Sequence, residues 1–272
     1  MELTTMRLDV ADGIATVTLT RGAALNTMTA AFWTELPQVF EAIDADASVR
    51  AVVVASTGKH FTAGLDLGFA ASGLGDGGGD AGRAREKFRR HVHAMQRTFT
   101  VVDKCRVPVI AVVQGGCIGG GVDFVTACDL RVGTADCYFT IQEINIAIVA
   151  DVGTLQRIPH LLPQGLVREL AYTGRKFGAE EAARFGFLNR VEADHAAALA
   201  AGHALAQEIA SKSPLAVTGI KAVLNHGRDH SIDAGLEYVA VWNAAMLQGD
   251  DVPAAVGAQL KRERASFADL KG

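Results

Sequence analysis

A chain of 272 residues is long enough to bury a full hydrophobic core, either as one large domain or as a domain with an appendage. With 49% hydrophobic and 21% charged residues it has the composition of an ordinary globular protein, which excludes disordered and fibrous classes. A net charge of −4 leaves no basic footprint for nucleic acid or an anionic membrane, so any anionic ligand must be held by local groups.

In chain order, segment 1–9 carries charges and no long apolar run, unlike a signal peptide. Ala15, Val17 and Leu19 alternate with Thr16, Thr18 and Thr20, the period of a half-buried strand. Over 29–43, Phe32, Leu36, Val39, Phe40 and Ile43 recur at spacings of three and four, which predicts an amphipathic helix. The runs 51–55 and 107–113 are nearly continuous in small and β-branched residues, the mark of strands buried on both faces. Between them, 72–79 is a glycine-rich loop by composition and a candidate lid, and 84–102 is a helical pattern with His91, Met95 and Phe99 on one stripe. His91 and His93 are two residues apart on that helix and cannot share a face as ligands.

Strands alternating with helices over the first two hundred residues give an α/β layered class. From about residue 196 only helical patterns follow, at 196–211, 214–225 and 231–247. The expected division is therefore a core over 1–195 carrying the active site and a helical region over 196–272 that covers a pocket or a neighbouring subunit. Cys105, Cys117, Cys128 and Cys137 form no close pair of the kind metal sites and redox motifs use. No metal site is expected, and the reduced thiols with the absent signal peptide lead to a cytoplasmic expectation. The longest apolar stretch, 107–122, is interrupted by Gln114 and glycines and is too short to span a bilayer, so no membrane partner is expected.

Three carboxylates stand out in an otherwise acid-poor region: Asp123 after Gly119-Gly120-Gly121, Glu143 in Gln142-Glu143-Ile144, and Asp151 before Val152-Gly153. Acids among Ile, Val, Ala and Phe are costly to desolvate, so a fold that places them there pairs them or raises their pKa values for proton transfer. The glycine cluster follows a buried strand and precedes a helix. It has neither the G-x-G-x-x-G register nor the Lys-Ser/Thr of a P-loop, and what remains is a turn whose backbone N–H groups can hold a developing oxyanion. A second turn of similar character, Phe61 to Leu67, follows the strand at 51–55. There is no G-x-S-x-G elbow and no H-E-x-x-H motif, which removes the usual support for serine-hydrolase and zincin chemistry.

These residues resemble the crotonase, or enoyl-CoA hydratase/isomerase, family across nearly the whole chain. The matching motifs are Arg21 with Asn26-Thr27-Met28; Phe61-Thr62-Ala63-Gly64-Leu65-Asp66-Leu67; Pro108-Val109-Ile110-Ala111; and Gly119-Gly120-Gly121 with Cys128-Asp129. They continue with Gly153-Thr154-Leu155-Gln156-Arg157-Ile158-Pro159, Ala179-Glu180-Glu181-Ala182 with Gly186, and Ser213-Pro214-Leu215-Ala216-Val217. The resemblance implies a crotonase-type ββα superhelix core with a C-terminal helical region, assembled as homotrimers or homohexamers. It implies a fatty acyl-CoA thioester as substrate and no cofactor, since CoA enters with the substrate. It also assigns the backbone amides of Leu65 and Gly120 to an oxyanion hole, and Ala24, Asn26, Ala63 and Asp66 to substrate binding. One departure is Arg21-Gly22 where relatives usually have Arg-Pro.

Hydratases of this family use two glutamates at the positions of Asp123 and Glu143, and a small uncharged residue where Asp151 stands. The Asp, Glu, Asp set here resembles that of Δ3,5-Δ2,4-dienoyl-CoA isomerases. Moving two double bonds from 3,5 to 2,4 takes a proton from C2 and returns one at C6, which needs two separated acid/base groups. Glu143 and Asp151 are the expected pair, with Asp123 polarising or orienting Glu143 or holding a water, and at least one of the pair is expected to have a raised pKa. The alternatives are enoyl-CoA hydration, Δ3-Δ2 isomerisation, and a non-catalytic acyl-CoA-binding protein that keeps the fold.

Overall fold

The computed structural model describes residues 2–69 and 80–271. The candidate lid at 72–79 lies outside the described residues. Six strands form the main sheet: β1 (Met6–Ala11), β2 (Ile14–Leu19), β3 (Ala51–Ser56), β4 (Val109–Val113), β6 (Leu130–Thr134) and β9 (Arg190–Glu192), in the order β1-β2-β3-β4-β6-β9. Within this sheet, among the described residues, the β1/β2 hairpin is antiparallel and the other pairs are parallel. A smaller sheet has the order β5-β7-β8, from Gly116–Ile118, Tyr138–Thr140 and Phe177–Gly178.

The continuous apolar runs of β3 and β4 divide by the strand period of two. Val52, Val54, Val109, Ala111 and Val113 enter the larger core with α1 (Ala30–Ala45), α2 (Ala81–Lys104) and α3 (Gly120–Ala127). Ala51, Val53, Ala55, Ile110 and Val112 face the opposite side. In α1 the expected stripe Phe32, Leu36, Val39, Phe40 and Ile43 is buried. Helix α2 starts three residues before the sequence pattern, because the Asp80 side chain caps it by accepting from the Arg83 amide at 2.8 Å. Phe99 is core, Met95 packs at its edge and Phe88 is exposed.

Short helices α4 (Thr154–Arg157), α5 (Gln164–Thr173) and α6 (Ala179–Arg184) follow. The tail is helical, as its pattern suggests, with α7 (His195–Ala210), α8 (Pro214–Asp229), α9 (Ile232–Met246) and an additional α10 (Asp251–Lys261). Its first helix is not peripheral: Ala198 and Ala206 of α7 pack on Val53, Ile110, Val112 and Val132, covering the second face of the sheet. Gly202 allows this approach, since a Cβ there would stand 2.5 Å from Val112 Cγ2. Helix α8 is pinned to the start of β4 by Lys221, whose Nζ donates to Asp129 Oδ2 at 2.7 Å and to the Val107 carbonyl at 3.0 Å. Asp129 also accepts from the Val109 amide, so the Cys128-Asp129 motif serves this junction. All four cysteines are free and buried.

Candidate active site

Strands β5 and β7 are parallel neighbours with Ile118 opposite Thr140, so the turns that follow them leave the sheet at the same end. The first turn is Gly119-Gly120; the second opens the 3₁₀ turn Gln142–Ile146 that carries Glu143. The Gly119 amide donates to the Thr140 carbonyl at 2.9 Å, and a Cβ on Gly119 would lie 3.3 Å from Glu143 Oε1. Asp123 sits in the first turn of α3, three residues after Gly120. Its Oδ1 accepts from the Thr154 amide at 2.6 Å, which draws the segment from Asp151 to Thr154 towards it. The three carboxylates are therefore grouped by one strand pairing and one hydrogen bond.

The second turn joins them through backbone pairing. Thr62 bridges Cys117, with the Ile118 amide donating to the Thr62 carbonyl at 3.1 Å, and Leu65 bridges Met28. Gly64 lies against the glycine turn so closely that a Cβ there would stand 2.6 Å from the Ile118 carbonyl oxygen and 3.5 Å from the Gly120 nitrogen, and its φ is +84°. Among the described residues, neither the Leu65 nor the Gly120 amide donates to an acceptor in the chain. Two neighbouring unsatisfied backbone donors at a carboxylate cluster are the arrangement that holds negative charge on a ligand oxygen.

All three carboxyls are pushed above their ordinary values. Asp123 is 0% exposed, and burial pushes its carboxyl up to about 6, against the opposing contact with Thr154, whose amide donates to it, and the charge of Arg157. Burial, followed by repulsion from Asp123, pushes Glu143 up to about 7. Asp151 is more exposed in the single chain, yet partial desolvation still raises it, opposed by its own backbone amide and by His91. Asp123 Oδ2 and Glu143 Oε2 are buried without a hydrogen-bond partner. The expectation that at least one of the pair is raised holds for both members and for Asp123 as well.

The residues expected to bind substrate divide. Ala24 is exposed and Ala63 half-buried, and the Ala63 amide donates to the Leu25 carbonyl at 2.9 Å, so they share a rim beside Leu65. Asp66 orders that rim: its carboxylate accepts from Thr27 Oγ1 at 3.1 Å and from the Gly68 and Phe69 amides, which with nearby Arg21 keep it below the usual carboxylate range. Asn26 is turned inward instead. It is 3% exposed and its Nδ2 donates to the Thr57 and His60 carbonyls, so it positions the turn from within rather than presenting its side chain to a ligand. The Arg21-Gly22 departure has a steric cause: a Cβ on Gly22 would lie 2.9 Å from the Thr57 and Gly58 backbone.

Sequence reasoning missed three neighbours of the acids. Gln96 Nε2 donates to the Asp151 carbonyl at 2.7 Å, His91 is close enough for its charge to act on Asp151, and the charge of Arg157 acts on Asp123. The available signal was Arg157 standing four residues after a glycine inside a matched motif. Among the described residues, no three of His, Cys, Asp and Glu are placed to hold a metal ion.

A family model described as enoyl-CoA hydratase/isomerase matches residues 9–268. The chain belongs to the enoyl-CoA hydratase/isomerase family. It is 48% identical over 248 residues to the mitochondrial Delta(3,5)-Delta(2,4)-dienoyl-CoA isomerase of Mus musculus, covering 90% of this chain and 76% of that protein. It is 41% identical to the peroxisomal Delta(3,5)-Delta(2,4)-dienoyl-CoA isomerase of Arabidopsis thaliana, covering 93% and 91%. Among solved structures, the enoyl-CoA hydratase of Bacillus anthracis aligns with a TM-score of 0.88 at 27% identity over 97% of this chain and 99% of that one. The crotonase-type fold expected from the motifs is thus that of the enoyl-CoA hydratase/isomerase family. The cytoplasmic expectation is corrected: these similar isomerases are mitochondrial and peroxisomal. Reduced thiols separate oxidising from reducing compartments and cannot rank the reducing ones.

Proposed function

We propose that this protein shifts the double bonds of a 3,5-dienoyl-CoA to the 2,4 positions, with Glu143 and Asp151 as the proton-transferring pair. The observation that carries the reading is the third carboxylate, Asp151, joined to a hydratase-like Asp123/Glu143 pair beside two unsatisfied amides. The names of relatives 40–48% identical to the chain support the same reaction. CoA is needed only as part of the substrate.

In this reading the thioester oxygen lies between the Leu65 and Gly120 amides, each worth about 3 to 4 kcal/mol of transition-state stabilisation when well aimed. Glu143, half ionised near pH 7 because its carboxyl is pushed up to about 7, removes a proton from C2. The charge spreads along the conjugated chain from the thioester oxygen to C6. Asp151, whose carboxyl is raised by partial burial, donates a proton at C6, and the double bonds come to rest at 2 and 4. One proton leaves and one arrives, so no water or redox partner is consumed. Asp123 holds the Thr154 amide and, by repulsion, keeps Glu143 basic enough to act. Ala24, Ala63 and Asp66 supply the CoA-side rim, and homotrimers or pairs of trimers complete the assembly.

Hydrogen exchange in D₂O, followed by NMR on a 3,5-dienoyl-CoA, tests the division of labour. Wild type is expected to form product deuterated at C6. Asp151→Asn is expected to retain exchange at C2 while losing isomerisation by about 10²-fold or more, and Glu143→Gln to lose both. C2 exchange surviving Glu143→Gln at the wild-type rate contradicts the assignment.

A further inference from the structure

We infer that Arg157 is the positioning residue that fixes the charge state of the Asp123/Glu143 pair, and that Asp103 and Arg228 tune it from outside the site. This rests on the isomerase reading of those carboxylates. Arg157 lies in α4 with its side chain only 13% exposed, an unusual burial for a guanidinium that no carboxylate hydrogen-bonds. Its nearest ion-pair partner, Asp103 at the end of α2, is 3.8 Å away, because Arg228 of α8 takes Asp103 with two bonds of 2.9 and 3.2 Å. Arg157 Nη2 donates to Thr100 Oγ1 at 3.3 Å, and Nη1 is buried with no partner. The guanidinium fills the space a side chain would take at Gly153: a Cβ there would lie 1.9 Å from Nη1, and the backbone has φ +131°. The next residue is Thr154, whose amide holds Asp123.

The charges facing the pair make the role specific. The charges of Arg157 and Asp151 act on Asp123, those of Asp123 and Asp151 act on Glu143, and that of His91 acts on Asp151. The thiols of Cys117, beside Asp123, and Cys128, beside Arg157, are pushed up by burial and stay neutral. Arg157 is therefore the cation offered to a desolvated, mutually repelling carboxylate pair. Two such acids resist ionising together, and without the cation both hold their protons to a higher pH, leaving less base near neutrality. Asp103 competes for the same charge, and Arg228 sets how strongly it competes.

The test measures the carboxyl titration of the substrate-free protein by infrared difference spectroscopy, beside the pH profile of kcat, for Arg157→Gln, Arg157→Lys and Asp103→Asn. Arg157→Gln is expected to move the pair's titration and the acid limb of kcat upward by about one pH unit, an approximately tenfold loss on that limb, with KM little changed. Arg157→Lys is expected to restore at least half of the shift. Asp103→Asn is expected to move both in the opposite direction, which loss of a merely structural contact does not do. A titration unmoved in Arg157→Gln, or shifts of the same sign in Arg157→Gln and Asp103→Asn, overturns the inference. If Arg157→Gln does not fold, Asp103→Asn decides alone: a downward shift supports it, and no shift or an upward one overturns it. Because the infrared titration needs no turnover, absence of dienoyl-CoA isomerisation in wild type counts against the reaction and leaves this inference to its own readout.

Discussion

Asp123 is held by one oxygen and left bare at the other, and its raised pKa has a thermodynamic sign. A carboxyl whose folded value, about 6, exceeds its ordinary 3.8 binds its proton more tightly in the native state. Stability is then greatest below the unfolded value, falls as pH rises from about 4 through about 6, and levels off above. Full expression of that difference is about 3 kcal/mol at neutral pH. Asp123→Asn, which can still accept from the Thr154 amide, is accordingly expected to unfold at a higher urea midpoint than wild type at pH 8, with the advantage gone below pH 4. A variant equally or less stable at pH 8 contradicts a carboxylate whose desolvation outweighs its Thr154 and Arg157 contacts. The acids were legible in the sequence because charge is conspicuous in an apolar segment. Arg157, Gln96 and the inward turn of Asn26 were not, since a cation or amide in a polar stretch looks the same whether it faces solvent or a buried acid, and only packing decides.

Among the elements, the two glycine turns carry the site, and their convergence rests on contacts too close for a side chain. Gly64→Ala must move the Ile118 carbonyl, 2.6 Å from the new Cβ, and must hold alanine at φ +84°. Separation of the Leu65 and Gly120 amides is expected to lower kcat by about 10² to 10³-fold with a smaller change in KM, in steady-state kinetics on the dienoyl-CoA. Unchanged kcat would remove the paired amides from the mechanism. Strands β3 and β4 were readable as continuous apolar runs of five or more residues, and helix α1 by its spacing of three and four. Strands β5, β7 and β8 are two or three residues long, below the length at which alternation can be recognised, although they set the geometry of the acids. The place of α7 on the sheet was hidden for a related reason. Small residues, Ala198, Gly202 and Ala206, give close helix-to-sheet contact without a strong apolar stripe.

At the scale of the molecule, α9 and α10 bury no residue fully in the single chain, and Leu224 on α8 with Ile232, Leu236 and Val241 on α9 are at least 60% exposed. Such a face is what the proposed trimer or hexamer would cover with a second copy of the chain. Leu224→Glu combined with Leu236→Glu is expected to lower the sedimenting mass towards the monomer while far-ultraviolet circular dichroism stays native; a wild-type monomer contradicts that assembly. The tail's helices were legible as patterns in need of a cover, whereas composition carried no trace of compartment. The reaction itself is tested most directly by mixing the protein with a 3,5-dienoyl-CoA and following the ultraviolet absorbance of the conjugated 2,4-dienoyl product, beside hydration of a 2-enoyl-CoA, for wild type and Asp151→Asn. The three-carboxylate account predicts rapid isomerisation by wild type and its collapse in the variant. Hydration without isomerisation, or isomerisation untouched by the loss of Asp151, contradicts it.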